Sequence, residues 1–266
     1  MTWRVVGDRC KNDPEQRGVN RSMTKYKQIP PDTERLQAPN PKPLVRPARR
    51  VSTQLDPKRL RIYLITDFGD RNAKLVLQAV SAAIAAGVTA VQYRDKEENR
   101  YERRRVRAIR IKAMAAAHGA LFVVNDDVDL ALEIGADGVH LGLDDADPTD
   151  LRKELGPSFV IGGSAGTVER AVALERAGVD YLGVGAIYEA RQSKATASPP
   201  RGTAAIKMIK QHVSLPIVGV GGITPDNAGS VFSAGADGVA VIRSVLDSDN
   251  PGRVVARLWS AWKTMQ

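Results

Sequence analysis

Short apolar runs alternate with helix-compatible segments from about residue 60 to the end of the chain. The eight runs are RIYLITD, AVQYRD, LFVVND, GVHLG, FVIGGS, YLGVGAI, PIVGVGGI and GVAVIRSV. Continuous apolar runs are typical of parallel strands that are covered on both faces. Strands that alternate with helices indicate βαβ units. The pattern therefore predicts an α/β protein with eight parallel strands.

A glycine that ends a helix recurs four times, in AGVTAV, IGADGV, AGVDYL and AGADGV. These glycines, Gly87, Gly135, Gly178 and Gly235, precede the second, fourth, sixth and eighth apolar runs. Glycine suits this position because the residue after a helix often has a positive φ. Two βα units repeated four times predict a closed (β/α)8 TIM barrel. The alternatives are an open doubly wound sheet and, less consistent with the uneven spacing, a solenoid.

Residues 1–58 have a different composition from the rest of the chain. They contain 13 of the 39 Lys and Arg residues but only 6 of the 30 Asp and Glu, and they contain 8 of the 15 prolines. Proline removes backbone donors and fixes φ, so a regular ladder or a long helix is not expected there. We interpret residues 1–58 as a disordered or extended basic leader and residues 59–266 as the TIM-barrel catalytic domain. A passive tail and a tether to nucleic acid or an anionic surface are alternative roles for the leader.

The net charge of +9 lies mostly in the leader, so nucleic acid is not an expected partner of the barrel. Cys10 is the only cysteine, which excludes an internal disulfide framework and a multi-cysteine metal cluster. The chain has no run of 18 apolar residues and no secretory h-region near its start, so we expect no membrane span and a cytoplasmic location. The sequence leaves open a homo-oligomer.

Polar side chains follow the second apolar run, where a barrel has its active-site face. Gln92, Arg94 and Lys96 alternate along the chain and are expected to face the barrel mouth together. Two cations that face inward need an anionic partner, because an unpaired buried charge is costly. An anionic ligand is one such partner, and a surface ion pair with Asp95 or Glu97 is the alternative.

Carboxylates follow the third and fourth runs, at neighbouring positions of the predicted barrel. Asp126 and Asp145 suit Mg²⁺, which commonly uses one or two carboxylates together with water and substrate phosphates. The alternative role for these aspartates, and the simpler one for Asp127 and Asp144, is helix capping. His140 is expected to be a hydrogen-bonded core histidine. We expect no histidine close enough to Ser164 to activate this serine as a nucleophile.

Donors for phosphate oxygens follow the remaining strands. Ser164 lies in a loop of small residues before a helix, a position that suits either an oxyanion or a helix cap. Lys194 lies in a long polar loop of the kind that closes over ligands. Glycines around Gly222 and the donors after the eighth run suit a phosphate grip of this barrel class. Two anion sites without an obvious general base predict the joining of two phosphorylated fragments, with pyrophosphate leaving.

The chain resembles the thiamine-phosphate synthase family over about residues 60–247. The matching motifs occur in the same order as in the family: YLITD, Q-x-R-x-K at 92–96, ND at 125–126, GADGVHLG with Asp145, GGS at 162–164, SK at 193–194, GVGGI and GVAVI. The resemblance implies a TIM barrel that couples hydroxymethylpyrimidine pyrophosphate to a thiazole phosphate with the help of Mg²⁺. It also implies the following roles, which we carry over position by position.

The pyrimidine substrate and its pyrophosphate would be bound by Gln92, Arg94, Lys96, Asn125, Ser164 and Lys194, among which Arg94, Lys96 and Lys194 would be catalytic. Asp126 and Asp145 would bind Mg²⁺. The thiazole phosphate would be bound by Gly222, Ile242 and Arg243, with Arg191, Gln192 and Ser193 contributing from the loop.

The thiazole side departs from the family pattern. Glu189 to Lys194 stand where the family usually has a Pro-Thr-x-Thr-Lys run, and Arg243 stands where it usually has serine. Leu143, on the other side, replaces a usual glutamine. We interpret Arg191 or Arg243 as charged replacements for hydroxyl donors. The alternatives are a thiazole tautomerase, whose usual histidine is replaced here by Gly166, and a catalytically silent phosphate-binding barrel.

Overall fold

The computed structural model describes residues 55–69, 71–96, 98–142, 145–189 and 200–265, which contain eight parallel strands. The strands are β1 Ile62–Ile65, β2 Ala90–Tyr93, β3 Leu121–Asn125, β4 Gly138–Leu141, β5 Val160–Ala165, β6 Tyr181–Gly185, β7 Ile217–Val220 and β8 Gly238–Val241. Each strand pairs with the next in chain order, and β8 pairs with β1 to close the barrel. The predicted TIM barrel is confirmed, and the β1–β8 pairing excludes the open sheet.

Helices connect the strands on the outside of the barrel. They are α1 Ala73–Ala85, α2 Tyr101–Ala117, α3 Val128–Glu133, α4 Pro148–Leu155, α5 Val168–Arg176, α6 Gly202–Lys210, α7 Ala228–Ser233, α8 Arg243–Leu246 and α9 Pro251–Lys263. Asp127 and Thr167 accept backbone N–H groups at the starts of α3 and α5, as capping residues do. No helix in the described part of the chain is long and apolar enough to cross a bilayer.

The repeated glycines end helices as predicted. Gly87, Gly135, Gly178 and Gly235 have φ values of 105°, 64°, 85° and 98°. This left-handed conformation is costly for residues that have a Cβ, whereas glycine adopts it readily. The four glycines therefore set the point at which the chain leaves a helix and enters β2, β4, β6 or β8.

The apolar core has two layers, one on each face of the sheet. The larger layer lies between the strands and the helices and includes Leu64, Val91 and Val139. The smaller layer contains Tyr63, Leu121, Val123, Tyr181 and other residues from the opposite faces of the strands, and it fills the barrel interior. Burial on both faces explains why the strands are continuously apolar.

The inner layer also includes residues that precede β1. Leu55 and Leu60 are buried there, on either side of a 3₁₀ turn, Pro57–Leu60, that Asp56 caps. Residue 55, the first that the structure describes, is thus already packed in the barrel interior. Residues 1–54 lie outside the described residues, so the extended or disordered leader stays a prediction.

The basic face of α2 is largely paired with carboxylates of the same chain. Arg104 contacts Asp127, and Arg105 contacts Glu133 at 2.5 Å. Arg107 contacts Asp95 at 2.8 Å between Nη1 and Oδ2. These contacts make the helix part of the barrel's own ion-pair surface.

Replacing Leu60 should destabilise the barrel strongly, because the side chain is completely buried in the inner layer. We expect Leu60→Ala to lower the free energy of unfolding by about 2–5 kcal/mol, measured by urea denaturation. Leu75→Ala is the matched control, since Leu75 is 62% exposed on α1, and it should change the free energy by less than about 0.5 kcal/mol. Equal effects of the two substitutions would contradict the assigned packing.

Candidate active site

Three charged side chains meet at the C-terminal rim of β2, β3 and β4. Lys96 Nζ lies 3.0 Å from Asp126 Oδ2. The carboxyl groups of Asp126 and Asp145 lie close enough for each to shift the pKa of the other. Asp145 Oδ2 also accepts the backbone N–H of Gly142 at 2.5 Å. The structure therefore brings together three of the four charged residues that the sequence predicted at one rim.

The two carboxyl groups differ in their affinity for a proton. Burial acts to raise the pKa of Asp126, but hydrogen bonds with Asp145, Lys96 and Asn125 outweigh it and lower that pKa. Burial, together with the hydrogen bond to Asp126, raises the pKa of Asp145. Two carboxylates in contact cannot both ionise easily, and a shared proton or a cation relieves their repulsion.

The residues present fit Mg²⁺. Asp126 and Asp145 offer oxygen ligands only, which is the donor type that Mg²⁺ prefers. Among the described residues no group of three or more His, Cys, Asp or Glu could hold a metal ion, so water and substrate would have to supply the other ligands, as is usual for Mg²⁺. Gly142 lies against this pair, and a Cβ at that position would come 2.8 Å from Asp145 Oδ2.

Gln92 in β2 and Arg94 just after it lie in different environments. Gln92 is buried in the barrel interior, where its Nε2 donates to Tyr63 Oη at 3.0 Å. Arg94 is partly exposed, and its Nη1 lies 3.5 Å from Asp67 Oδ1. Thr66 fixes the backbone of Arg94, since its Oγ1 accepts the Arg94 N–H at 2.8 Å and donates to the Arg94 carbonyl at 3.0 Å. Both cations of the strand end are thus paired with rim carboxylates.

Ser164 has a histidine neighbour, contrary to the sequence analysis. His140 Nε2 lies 3.0 Å from Ser164 Oγ, and His140 Nδ1 lies 3.1 Å from Tyr181 Oη. The expectation that His140 is a hydrogen-bonded core histidine is confirmed. The expectation that no histidine lies near Ser164 was wrong, because parallel pairing of β4 with β5 brings together side chains that are 24 residues apart.

The residues predicted to bind the thiazole phosphate lie in the turn after β7 and at the start of α8. Gly221 and Gly222 both have positive φ, and Asn227 Nδ2 donates to the Gly222 carbonyl at 3.0 Å. Ile242 immediately precedes α8, and Arg243 is its first residue. Arg243 Nη2 lies 3.8 Å from Asp67 Oδ2. The carboxylate of Asp67 is thus shared between Arg94 and Arg243.

Two residues near the site were missed by the sequence analysis. Asp67 lies two residues after the end of β1, at a strand end like the other candidate residues. Arg201 directly precedes α6, and a Cβ on Gly166 would lie only 2.6 Å from its Nη2. This contact joins residues far apart in the sequence, and nothing in the local pattern indicates it. Arg191, Gln192, Ser193 and Lys194 lie outside the described residues, as does Leu143.

The stability of the barrel should depend on pH through His140. Burial lowers the pKa of this imidazole from 6.5 to about 4. The unfolded chain binds a proton below pH 6.5 that the folded chain resists, so folding stability should fall as the pH drops from 6.5 towards 4. Between pH 7.5 and 5, we expect His140 to account for a loss of roughly 2 kcal/mol in unfolding free energy.

Urea denaturation at the two pH values measures this loss. His140→Gln should lose less stability than the unmodified chain over the same interval, because no imidazole remains to be protonated. His118→Gln, at the exposed end of α2, is the matched control for the substitution. An identical pH dependence of the unmodified chain and His140→Gln would contradict the assigned environment of His140.

Comparison with known proteins gives one consistent family. A family model described as thiamine monophosphate synthase matches residues 62–245, from β1 into α8. The chain is 43% identical to the thiamine-phosphate synthase of Natronomonas pharaonis over 203 residues, which cover 75% of this chain and 94% of the relative. It is 40% identical over 190 residues to the thiamine biosynthesis bifunctional protein ThiED of Geobacter sulfurreducens, covering 71% of this chain and 37% of that protein.

A solved structure agrees with these relatives. Thiamine phosphate pyrophosphorylase from Pyrococcus furiosus matches with a TM-score of 0.69 and 31% sequence identity, covering 79% of this chain and 98% of the other. The family resemblance derived from the motifs is therefore confirmed over the barrel. The chain belongs to the thiamine monophosphate synthase family.

Proposed function

We propose that this chain is a thiamine-phosphate synthase, a transferase that joins a pyrimidine pyrophosphate to a thiazole phosphate and releases pyrophosphate. The observation that carries the proposal is the contact of Lys96 with Asp126 and of Asp126 with Asp145 at one rim. A lysine next to a pair of carboxylates that can bind a metal ion suits a polyphosphate leaving group, which is strongly negative. The Natronomonas pharaonis relative, which is 43% identical, carries the name of this activity.

The residues of the first half of the barrel would act on the leaving group. Asp126 and Asp145 would hold Mg²⁺, which neutralises charge on the pyrophosphate oxygens when bound. Arg94 and Lys96 would exchange their carboxylate partners for those oxygens, and Lys194 would approach them from its loop. Charge developing on the leaving oxygens is stabilised in this way, so the step needs no protein nucleophile.

The other residues would bind the two organic fragments. The buried amide of Gln92 suits a heterocyclic ring, and Asn125 would add a second amide contact. Gly222, Ile242 and Arg243 would hold the thiazole phosphate, assisted by Arg191, Gln192 and Ser193. Once pyrophosphate has been drawn off, the thiazole nitrogen attacks the exposed pyrimidine methyl carbon, and the new C–N bond replaces the broken C–O bond.

We also expect the protein to act in the cytoplasm.

A thiazole tautomerase is the second candidate, and the environment of Gly166 argues against it. The tautomerases resembled by this chain typically carry a histidine at this position. Here the Arg201 guanidinium occupies the space beside Gly166, and Arg201 Nε donates to the Gly185 carbonyl at 3.2 Å. A histidine side chain at position 166 would require Arg201 to move. This contact favours the synthase over the tautomerase.

Product formation from both phosphorylated precursors tests the proposal directly. With Mg²⁺ present, the chain should form thiamine phosphate and release pyrophosphate in equal amounts. Asp126→Asn should lower turnover by at least about a hundredfold, because it removes the charge that would hold Mg²⁺ and pair with Lys96. Asp129→Asn, the same change on an exposed turn of α3, should retain turnover. No product at saturating concentrations of both precursors would refute the synthase assignment.

Gly142→Ala should weaken Mg²⁺ binding without unfolding the barrel. The added methyl group would come 2.8 Å from Asp145 Oδ2, and the short side chain can rotate away more easily than the backbone can shift. We expect the Mg²⁺ concentration for half-maximal turnover to rise about tenfold, with the thermal unfolding midpoint little changed. Gly229→Ala, where a Cβ meets no atom within 4 Å, is the matched control. An unchanged Mg²⁺ requirement in Gly142→Ala would contradict the metal role of Asp145.

A further inference from the structure

A chain of four hydrogen bonds crosses the barrel interior from β2 to β5. Gln92 Nε2 donates to Tyr63 Oη at 3.0 Å, and the hydroxyl groups of Tyr63 and Tyr181 lie 2.8 Å apart. Tyr181 Oη lies 3.1 Å from His140 Nδ1, and His140 Nε2 lies 3.0 Å from Ser164 Oγ. This series of hydrogen bonds therefore connects Gln92 and Ser164, which would both bind substrate. The three residues between them had no assigned role in the reaction.

The barrel interior is shaped to hold these side chains. Tyr63, Gln92, Tyr181 and His140 are all buried. A Cβ at Gly162 would overlap the ring of Tyr181, and a Cβ at Gly183 would come 3.0 Å from His140 Cε1. Small residues on β5 and β6 thus make room for large polar ones on β4 and β6. Polar groups buried at this depth are costly unless every one is bonded, so the direction of each hydrogen bond matters.

Counting the donors shows that this series of hydrogen bonds runs in one direction. Because the Gln92 amide donates to Tyr63 Oη, the Tyr63 hydroxyl is free to donate to Tyr181, and Tyr181 can then donate to His140 Nδ1. A neutral imidazole that accepts at Nδ1 carries its proton at Nε2. That proton points to Ser164 Oγ. The opposite direction would leave the Tyr63 hydroxyl hydrogen without an acceptor, since the described residues provide Tyr63 Oη with no partner besides Gln92 and Tyr181.

The direction decides what Ser164 offers to a ligand. When His140 donates to Ser164 Oγ, the serine keeps its own O–H for another acceptor. In the opposite arrangement Ser164 would donate to His140. Only the lone pairs of Ser164 Oγ would then face an anion, and they would repel its oxygens. We propose that His140 is a positioning residue that holds Ser164 as a hydrogen-bond donor towards the leaving pyrophosphate, with Tyr63 and Tyr181 fixing the tautomer of His140. This inference rests on the proposed function for the identity of the anion.

The tautomer can be measured without any substrate. The chain contains three histidines, so ¹⁵N labelling of histidine gives three imidazole signals, and His140→Gln identifies that of residue 140. We expect His140 to be protonated at Nε2 at pH 7.5. Tyr181→Phe should change this to a mixture of tautomers, whereas Tyr93→Phe, which removes a buried hydroxyl outside the chain, should not. Protonation of His140 at Nδ1 in the unmodified protein would overturn the inference.

Two isosteric substitutions separate positioning from packing. The amide of His140→Gln reaches the place of Nε2 and can still donate to Ser164, whereas the amide of His140→Asn reaches only the place of Nδ1. We expect His140→Asn and Ser164→Ala each to lower kcat by about tenfold to a hundredfold, the usual effect of losing a hydrogen bond to a charged group. His140→Gln should retain most of the activity, and the KM for the thiazole phosphate should change little in all three.

The double variant tests whether His140 acts through Ser164. His140→Asn combined with Ser164→Ala should be no slower than Ser164→Ala alone, because the lost interaction is the same. Multiplicative effects would overturn the inference. Affinity for pyrophosphate with Mg²⁺, measured by calorimetry on the same variants, should follow the same order. If the unmodified protein forms no thiamine phosphate, the proposed function fails, while the tautomer and the pyrophosphate affinities still decide the role of His140.

Discussion

The contact between Asp126 and Asp145 is the interaction on which the site depends. Two carboxyl groups in contact repel each other when ionised, and the fold keeps them together by a short hydrogen bond from the Gly142 backbone and by Lys96. The left-handed backbone of Asp126, with φ at 61°, turns the chain at the end of β3. Such a conformation is uncommon for residues other than glycine and often occurs at functional sites. The unfavourable backbone conformation of Asp126 thus places its carboxylate at the proposed cation site.

The fold was predictable from the sequence because its signals are local and repeated. Four glycines at the same place in successive βα pairs, followed by continuous apolar runs, specify the element order, and closure follows when eight strands are counted. The burial of Leu55 was not predictable in the same way. Leu55 is a single apolar residue in a polar stretch, and only the inner layer of the barrel explains why it is buried.

The candidate site was predictable as far as it follows from strand ends. Lys96, Asp126 and Asp145 were found because carboxyl ends of parallel strands meet at one rim. The contact of His140 with Ser164 was missed because each residue was interpreted within its own strand. Both residues occupy inward positions on adjacent strands, so pairing β4 with β5 before assigning roles would have predicted it. The contact of Arg201 with Gly166 could not be predicted, since it joins residues 35 positions apart that share no local pattern.

The charges at the rim form two groups joined by one carboxylate. Asp67 contacts Arg71 at 3.0 Å, Arg94 at 3.5 Å and Arg243 at 3.8 Å. Because Arg94 lies at the proposed pyrophosphate site and Arg243 at the proposed thiazole phosphate site, the two anion sites share this counter-charge. Asp247 is a second carboxylate of this cluster, since it contacts Arg71 at 2.8 Å and Arg243 at 3.9 Å, so three guanidinium groups share two carboxylates. A serine in place of Arg243 would leave Asp67 with fewer cations to balance, and the arginine therefore changes the electrostatics of both sites and not of the thiazole side alone.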